Sequence, residues 1–275
     1  MSNINSIMYS GGVDSFLVYQ WLRKTDTIFE NLNLLYFNLG ARCNNSEIEL
    51  FNSCNFKKHV SIPVMISDAL NMGGMETESA YIPNRNILAA IMNNSVTNSD
   101  NIWIGGTLSD RVNDNNREIF DDLSKLMTKM HKRDIVITSP FFDSHKCSLV
   151  FDYVFNNGWN HYENQQDARK SLVEATFSCY DPLFESQQIK AHIENEVVEY
   201  CSRECLECPA CFRKCMSLYA GDIFIAMKDN EKSNGFINHY KEEAEREVTK
   251  HDEMYERYVA TLDYCAALEN FRLRK

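Results

Sequence analysis

A chain of 275 residues with 44% apolar side chains can bury the core of one sizeable domain with additions, or of two small ones, and is not globally disordered. Its formal net charge of -11 disfavours a nucleic-acid partner wrapped on a basic face, although a small basic pocket for phosphates is compatible with it. No run of about 18 apolar residues marks a membrane span, and the short, uncharged stretch from Met1 to Tyr9 lacks the basic start and long apolar run of a signal peptide.

In chain order, Ile4 to Tyr9 reads as a buried strand ending in a glycine turn, and Val13 to Lys24 as the helix after it. Leu32 to Asn38 is a second strand, ending at Gly40. Ser46 to Phe51 is helical, and His59 to Met65 is a weaker strand interrupted by Pro63. Ile87 to Val96 is helical, and Ile102 to Ile104 is a short strand before Gly105-Gly106. Arg117 to His131 is a helix, and Asp134 to Ile137 a strand stopping near Pro140. Strands separated by helices predict an α/β fold with a doubly wound parallel sheet, whose ligands bind beyond the carboxyl ends of the strands. The character becomes cysteine-rich near Phe177 and highly charged near Ile237. There Ile237, Ala244, Val248, Tyr255, Tyr258 and Leu262 recur at helical spacing. They predict one long surface helix whose apolar stripe packs on the main domain, forms a homodimer contact or meets a protein partner. The expected organisation is an ATP-binding α/β domain over 1–175, a zinc-binding cysteine region over 176–219 and a C-terminal helical extension over 220–275.

Ser10-Gly11-Gly12-Val13-Asp14-Ser15 lies between the first strand and its helix. Paired glycines allow a tight turn and close approach to a ligand. The helix start presents unpaired N–H groups and the positive end of its dipole, and Ser10 and Ser15 add hydroxyl donors. This is an anion cradle suited to pyrophosphate. It lacks the Gly-Lys-Ser/Thr of the mononucleotide loop and the Gly-x-Gly-x-x-Gly of dinucleotide folds. Asp14 would repel a phosphate, so it is expected to cap the helix or help hold Mg²⁺. A serine-capped glycine turn with no ligand is the alternative.

Ten cysteines are present, and Cys179, Cys201, Cys205, Cys208, Cys211 and Cys215 lie close together. Clustered thiols without a secretion signal point to metal rather than disulfides, and to a reducing cytoplasm as the setting. Cys205-Leu206-Glu207-Cys208-Pro209-Ala210-Cys211 gives two successive Cys-x-x-Cys steps. Three thiolates can then converge on one ion and leave a fourth tetrahedral position for Cys179, Cys201 or Cys215. Zinc in a folding role is the expectation, with an iron–sulfur site or inert buried thiols as alternatives.

The glycine loop resembles the signature of the PP-loop ATP pyrophosphatases, which implies a Rossmann-type (HUP-like) fold and cleavage of ATP to AMP and pyrophosphate. Ser178-Cys179-Tyr180, the Cys-x-x-Cys-Pro-x-Cys run and the following Arg213-Lys214 resemble the zinc site of the 7-cyano-7-deazaguanine synthase (QueC) family. That resemblance implies Cys179, Cys205, Cys208 and Cys211 as zinc ligands. Tyr81-Ile82-Pro83-Asn84-Arg85-Asn86 is similar to a family segment near ATP. Phe37-Asn38-Leu39-Gly40-Ala41-Arg42 with Glu47 looks like a degraded Tyr-Gly-Gln-Arg-His…Glu stretch. Ile104-Gly105-Gly106 and Thr138-Ser139-Pro140-Phe141 with Lys146 match in order, so the resemblance spans roughly residues 4 to 215.

It implies Ser10, Gly11, Gly12, Asp14, Ser15, Asn86 and Gly105 around ATP, with Asp14, Arg85 and Lys146 as catalytic residues. Arg85 and Lys146 would neutralise phosphate or transition-state charge; ordinary surface cations are the alternative for both. The implied reaction is adenylation of a 7-carboxy-7-deazaguanine-type carboxylate and attack by ammonia, giving an amide and then, with a second ATP, a nitrile. ATP, Mg²⁺ and Zn²⁺ are the implied cofactors. The chain departs from the family where a Gly-Tyr-Pro-Asp-Cys-Arg segment would face the deazapurine: it has Val112-Asn113-Asp114-Asn115-Asn116-Arg117. Asp110, Asp114, Asn115 and Arg117 are the candidate substrate contacts. An Asn reads a guanine-like edge less well than an Asp. The 25 residues between Cys179 and Cys205, and the charged tail after about Tyr219, are further additions. They point to a specialised relative, which can stop at the amide or join the activated deazaguanine to another amine. The rival classes are a tRNA-thiolating PP-loop enzyme, which needs a basic face, and a non-catalytic zinc-stapled interaction module.

Overall fold

The computed structural model describes residues 4–29, 31–38, 43–53, 59–63, 84–108, 115–194 and 196–274. The chain divides into two compact units, Met1–Asp143 and Ser144–Lys275.

In the first unit, strands β1 (Asn5–Met8), β2 (Leu32–Asn38), β3 (His59–Pro63), β4 (Asn101–Trp103) and β5 (Val136–Thr138) form one sheet in the order β3-β2-β1-β4-β5. Every pairing is parallel, as in Ile7 opposite Leu34 and Asn5 opposite Asn101. β2 carries Leu32, Leu34, Leu35 and Tyr36 all buried, the near-continuous apolar run that a central parallel strand requires. The longer helices are α1 (Val13–Leu22), α2 (Asn44–Ser53), α3 (Arg85–Thr97) and α4 (Arg117–His131). α4 turns Phe120, Leu123 and Met127 onto Ile102, Ile104, Ile135 and Ile137, and Asn116 caps its start by accepting from the Ile119 N–H at 3.0 Å. β2 pairs with one side of β1 and β4 with the other, so the chain reverses its progress across the sheet between them. Such a reversal opens a crevice at the carboxyl ends of the two strands.

The second unit holds α5 (Lys146–Phe155), α6 (Gln165–Glu174), α7 (Pro209–Tyr219), α8 (Glu231–Glu247) and α9 (Tyr255–Leu273), with strands β6 (Gln187–Ile193), β7 (Glu196–Ser202) and β8 (Ile223–Ile225). The strands form an antiparallel sheet in the order β7-β6-β8, with Gln187 opposite Ser202 and Ile193 opposite Glu196. Arg169, fully buried on α6, ties the hairpin turn to the start of β8. Its Nε donates to the Gly221 carbonyl at 2.9 Å, and its guanidinium pairs with Glu194 and Asp222.

The strands and helices of the first unit fall within two or three residues of their expected limits. Three features differ from expectation. The division comes at Asp143/Ser144 rather than 175/176, because α5 packs on α7 and α6 on the β6–β7 hairpin. The cysteine region and the C-terminal helices share that one unit. The 25 residues between Cys179 and Cys205, unassigned by the sequence, contain a β-hairpin. The expected single C-terminal helix is two: a 3-10 turn at Val248–Lys250 ends α8, and His251 sits in the left-handed region at φ 48° before α9 begins. Among the described residues no helix is long and apolar enough to cross a membrane.

Candidate nucleotide site and metal centre

The Ser10–Ser15 loop leaves the carboxyl end of β1 and enters α1 at the strand-order reversal. Gly11 takes φ +78°, which L residues with side chains rarely adopt, and a Cβ there would lie 2.8 Å from Leu50 Cδ2. Gly12 caps α1 in an extended conformation with no side-chain cap, so Asp14 does not serve as the cap and that expectation is corrected. The serines bond within the loop itself. Ser15 Oγ donates to the Gly12 carbonyl at 3.0 Å, the Ser10 and Ser15 hydroxyls lie 3.3 Å apart, and the Ser10 N–H donates to Ser15 Oγ at 3.3 Å. The start of α1 thus turns the positive end of its dipole toward the loop.

Gly105, beyond β4, completes the floor. A Cβ at Gly105 would stand 2.9 Å from the Ser15 nitrogen and 3.1 Å from Asp14 Cβ, so only glycine lets β4 approach the helix start this closely. Asn115 reaches the same strand end: its Oδ1 lies 3.2 Å from the Cβ position of Gly106. Arg117 lies beside it, pairing with Asp143 at 2.5 Å and covering at 5.5 Å the Phe142 ring, whose Cε1 is 2.4 Å from the Cβ position of Gly106. Asp110 and Asp114 lie outside the described residues.

A second polar group sits behind the loop. Tyr36 at the end of β2 donates to Glu47 Oε2 at 2.8 Å, from the first turn of α2, the helix whose Leu50 meets Gly11. Burial pushes the Glu47 carboxyl above the usual carboxylate range, against the Tyr36 hydrogen bond and the positive charge of Arg85. Burial also raises the Cys43 thiol, helped by the Glu47 charge and opposed by Arg85. Arg85, the first residue of α3, therefore neighbours a buried acid, and Asn86 follows it on the same first turn. The sequence singled out Arg85 but not the Tyr36–Glu47 pairing; Glu47 stood out only through resemblance. Lys146 opens α5 and belongs to the second unit.

The metal centre lies wholly in that second unit. Cys179, Cys205, Cys208 and Cys211 are buried, and their sulfurs lie within 4.8 Å of one another. Cys205 and Cys211 sulfurs are 4.0 Å apart, and those of Cys208 and Cys179 3.9 Å. A tetrahedral ion with Zn–S bonds of about 2.3 Å needs sulfurs about 3.8 Å apart. The four buried cysteines are thus grouped closely enough to hold one zinc ion. Backbone N–H groups already point at the sulfurs, from Cys205 to Cys179 Sγ at 3.3 Å, from Glu207 to Cys205 Sγ at 3.3 Å and from Cys211 to Cys208 Sγ at 3.5 Å. Leu206, left-handed at φ 57°, makes the turn that aims the first pair of thiols inward. Hydrogen bonding within the cluster holds the Cys205 and Cys208 thiols below the ordinary value and pushes those of Cys179 and Cys211 above it. Of the other candidate ligands, Cys201 is exposed on β7, and burial pushes the Cys215 thiol up to about 12.

Beside the sulfurs, Lys214 and Glu204 form a buried ion pair at 2.9 Å, each side chain 1% exposed. Lys214 Nζ also donates to the Thr176 carbonyl at 2.6 Å, and Glu204 Oε1 accepts the Ser178 N–H at 2.8 Å. The pair thereby clamps the two segments that bring in Cys179 and Cys205. Glu204 had no periodic signal in the sequence; its place directly before a ligand cysteine was the available cue.

No family model and no curated protein matches the chain. Among solved structures it is similar to that of a predicted subunit of tRNA methyltransferase from Methanocaldococcus jannaschii, with 14% identity over 74% of this chain and 84% of that one, at a TM-score of 0.36.

Proposed function

We propose that this protein is an ATP-dependent C–N ligase of the 7-cyano-7-deazaguanine synthase (QueC) kind, a PP-loop enzyme with a doubly wound sheet that forms AMP and pyrophosphate. The observation that carries the reading is the position of Ser10-Gly11-Gly12-Val13-Asp14-Ser15 at the β1–β4 reversal, with Gly105 against the helix start. Ser10, Ser15 and the first N–H groups of α1 hold the phosphates. Asp14, half-buried on the first turn, holds Mg²⁺. Arg85, at the start of α3, neutralises charge that develops at the α-phosphate. The substrate carboxylate attacks the α-phosphorus and expels pyrophosphate. Ammonia then displaces AMP from the acyl-adenylate to give the amide, and a second adenylation of the amide oxygen with loss of AMP gives the nitrile. Asn115 faces the deazapurine at the end of β4. The zinc ion, held by four buried thiolates with no open position, has a structural role. The proposed setting is the cytoplasm.

The test is a mass-spectrometric product assay with ATP, Mg²⁺, ammonium and 7-carboxy-7-deazaguanine, with Asp14→Ala as control. AMP together with an amide or nitrile supports the reading, and the product identifies the branch. Absence of AMP from protein that still binds zinc and ATP overturns the substrate assignment.

A further inference from the structure

The Tyr36–Glu47 pairing adjoins the phosphate loop without belonging to it. Glu47 and Leu50 stand three residues apart on one face of α2, and Leu50 is the side chain that meets Gly11. Tyr36 leads to the same place from the strand: its ring packs on Phe51 at 5.7 Å, and Phe51 on Tyr9, the residue before the loop, at 6.2 Å. Glu47 Oε2 accepts the Tyr36 hydroxyl at 2.8 Å, and the Cys43 thiol, one turn earlier, donates to the same carboxyl. Arg85, opening α3, lies near enough for its positive charge to act on both Glu47 and Cys43. Among the described residues its guanidinium makes no hydrogen bond or ion pair, so its donors are open to a ligand.

One cation thus serves two anions, the Glu47 carboxylate and, when a nucleotide is seated on the loop, its phosphates. A guanidinium drawn onto phosphate oxygens no longer offsets the carboxylate. The phosphates also add like charge on the order of 10 Å away, enough at an effective dielectric of about 20 to raise a carboxylate's affinity for a proton by about tenfold. Burial already opposes ionisation of Glu47, so both effects act in the direction that the site favours. The groups facing the carboxyl are Tyr36 from β2, Cys43 beside its own helix start and Arg85 from α3. Tyr36 acts as a donor, a guanidinium keeps its charge, and burial with the Glu47 charge pushes the Cys43 thiol up, so the proton goes to Glu47. We propose that Glu47 is a positioning residue for Arg85, its internal counter-charge before nucleotide binds, and that it takes up a proton from solvent when Mg-ATP draws the guanidinium away. The inference rests on the ATP-site reading above, and it requires nucleotide affinity to rise as pH falls.

Isothermal titration calorimetry of the full, zinc-loaded chain with Mg-ATP, in buffers of different ionisation enthalpy and without carboxylate substrate, counts the protons. The wild type is expected to take up about half a proton or more per nucleotide beyond the count for Glu47→Gln, a difference that removes any proton exchanged by the nucleotide itself. Relative to that variant, its Kd should weaken about tenfold in total as pH rises from about 5 to about 8. Glu47→Gln should match the wild type at the acid end and bind more tightly at the alkaline end, whereas loss of a merely structural residue would weaken binding at every pH. Tyr36→Phe removes a donor to the charged carboxylate, so it should move proton uptake to higher pH, and it decides the matter if Glu47→Gln does not fold. Mg-ATP binding with the same proton count in wild type and Glu47→Gln, or with uptake at an unchanged pH in Tyr36→Phe, overturns this inference alone. Absence of Mg-ATP binding at every pH overturns the ATP-site reading and this inference with it.

Discussion

Gly105 has no room for a methyl group. In Gly105→Ala the new carbon would meet the Ser15 nitrogen at 2.9 Å, and backbone cannot swing aside as a side-chain tip can. The substitution should cost about 1–3 kcal/mol by overpacking, and the displaced helix start should lose ATP. Thermal melting with and without Mg-ATP checks both; a variant that keeps the full ligand-induced shift would show that the contact does not shape the loop. Gly11 differs, because its neighbour there is the movable end of Leu50, and its constraint is the positive φ.

Glu47 allows a prediction with a definite sign. Its carboxyl is raised above the usual range by burial, so the folded state binds the proton more tightly than the unfolded one. Stability from this group is fully present below the unfolded pKa, about 4.3, and is lost as pH rises through the folded value. Glu47→Gln keeps an acceptor for the Tyr36 hydroxyl and carries no charge. The first unit of this variant should therefore melt above wild type at pH 7, with the difference vanishing near pH 4; chemical denaturation at the two pH values measures it. An equal difference at both would assign the effect to packing.

At the scale of elements, the Glu204–Lys214 pair fixes how the metal segments meet. Removing one partner strands a buried charge, so Lys214→Met or Glu204→Leu alone should destabilise the second unit by about 3–5 kcal/mol, while the double variant recovers much of that loss. The same unit should lose much of its cooperative transition when a chelator strips the metal, because one ion would join the Cys179 segment to the Cys205–Cys211 turn and so couple metal binding to folding. Guanidinium titrations of the four proteins, with and without chelator, give the cycle.

Elements also show what the sequence made legible. β1, β2 and α4 were readable because β2 is a near-continuous apolar run, interrupted at Asn33, and α4 has a strong 3.6-residue stripe. The β6–β7 hairpin also had a pattern, with Ile189, Ala191 and Ile193 buried at alternate positions. It was short, and polar between those positions, in a stretch flanked by the clustered cysteines. The break between α8 and α9 was hidden because apolar residues keep a helical spacing through it, from Ala244 and Val248 to Tyr255 and Tyr258. The cue was Asp252, whose carboxylate accepts the Met254 N–H at 2.9 Å and turns the chain into α9. The four metal ligands came from spacing and resemblance together: spacing alone left the fourth thiol open, and only folding brings Cys179 to within 3.9 Å of Cys208.

At the scale of the molecule, the net charge of -11 sets the competition between the deazapurine reading and the tRNA-thiolation rival. Phosphate contacts dominate tRNA affinity, and each needs a cation. Bulk tRNA should therefore give no mobility shift at about 0.15 M salt, and fluorescence anisotropy should remain flat across a protein titration. Saturable binding under those conditions would favour the rival and redirect attention to the alternative fate of the activated α-phosphate.

The hairpin lies between the first cysteine of the cluster and the other three, so a zinc ion held there would close a loop around it. Holding both ends of a flexible segment costs only about 0.6 kcal/mol for each doubling of its length. With Cys179 and Cys205 pinned by such an ion and by the Glu204–Lys214 clamp, the largely exposed stretch from Asp181 to Ser186 can lengthen, shorten or change sequence with little penalty to the metal site, while Ile189, Ala191 and Ile193 stay buried in the hairpin and Glu204 stays in the clamp. That makes this stretch the part of the chain most open to divergence: a new surface can be tried there while the thiolate cage that anchors it stays unchanged.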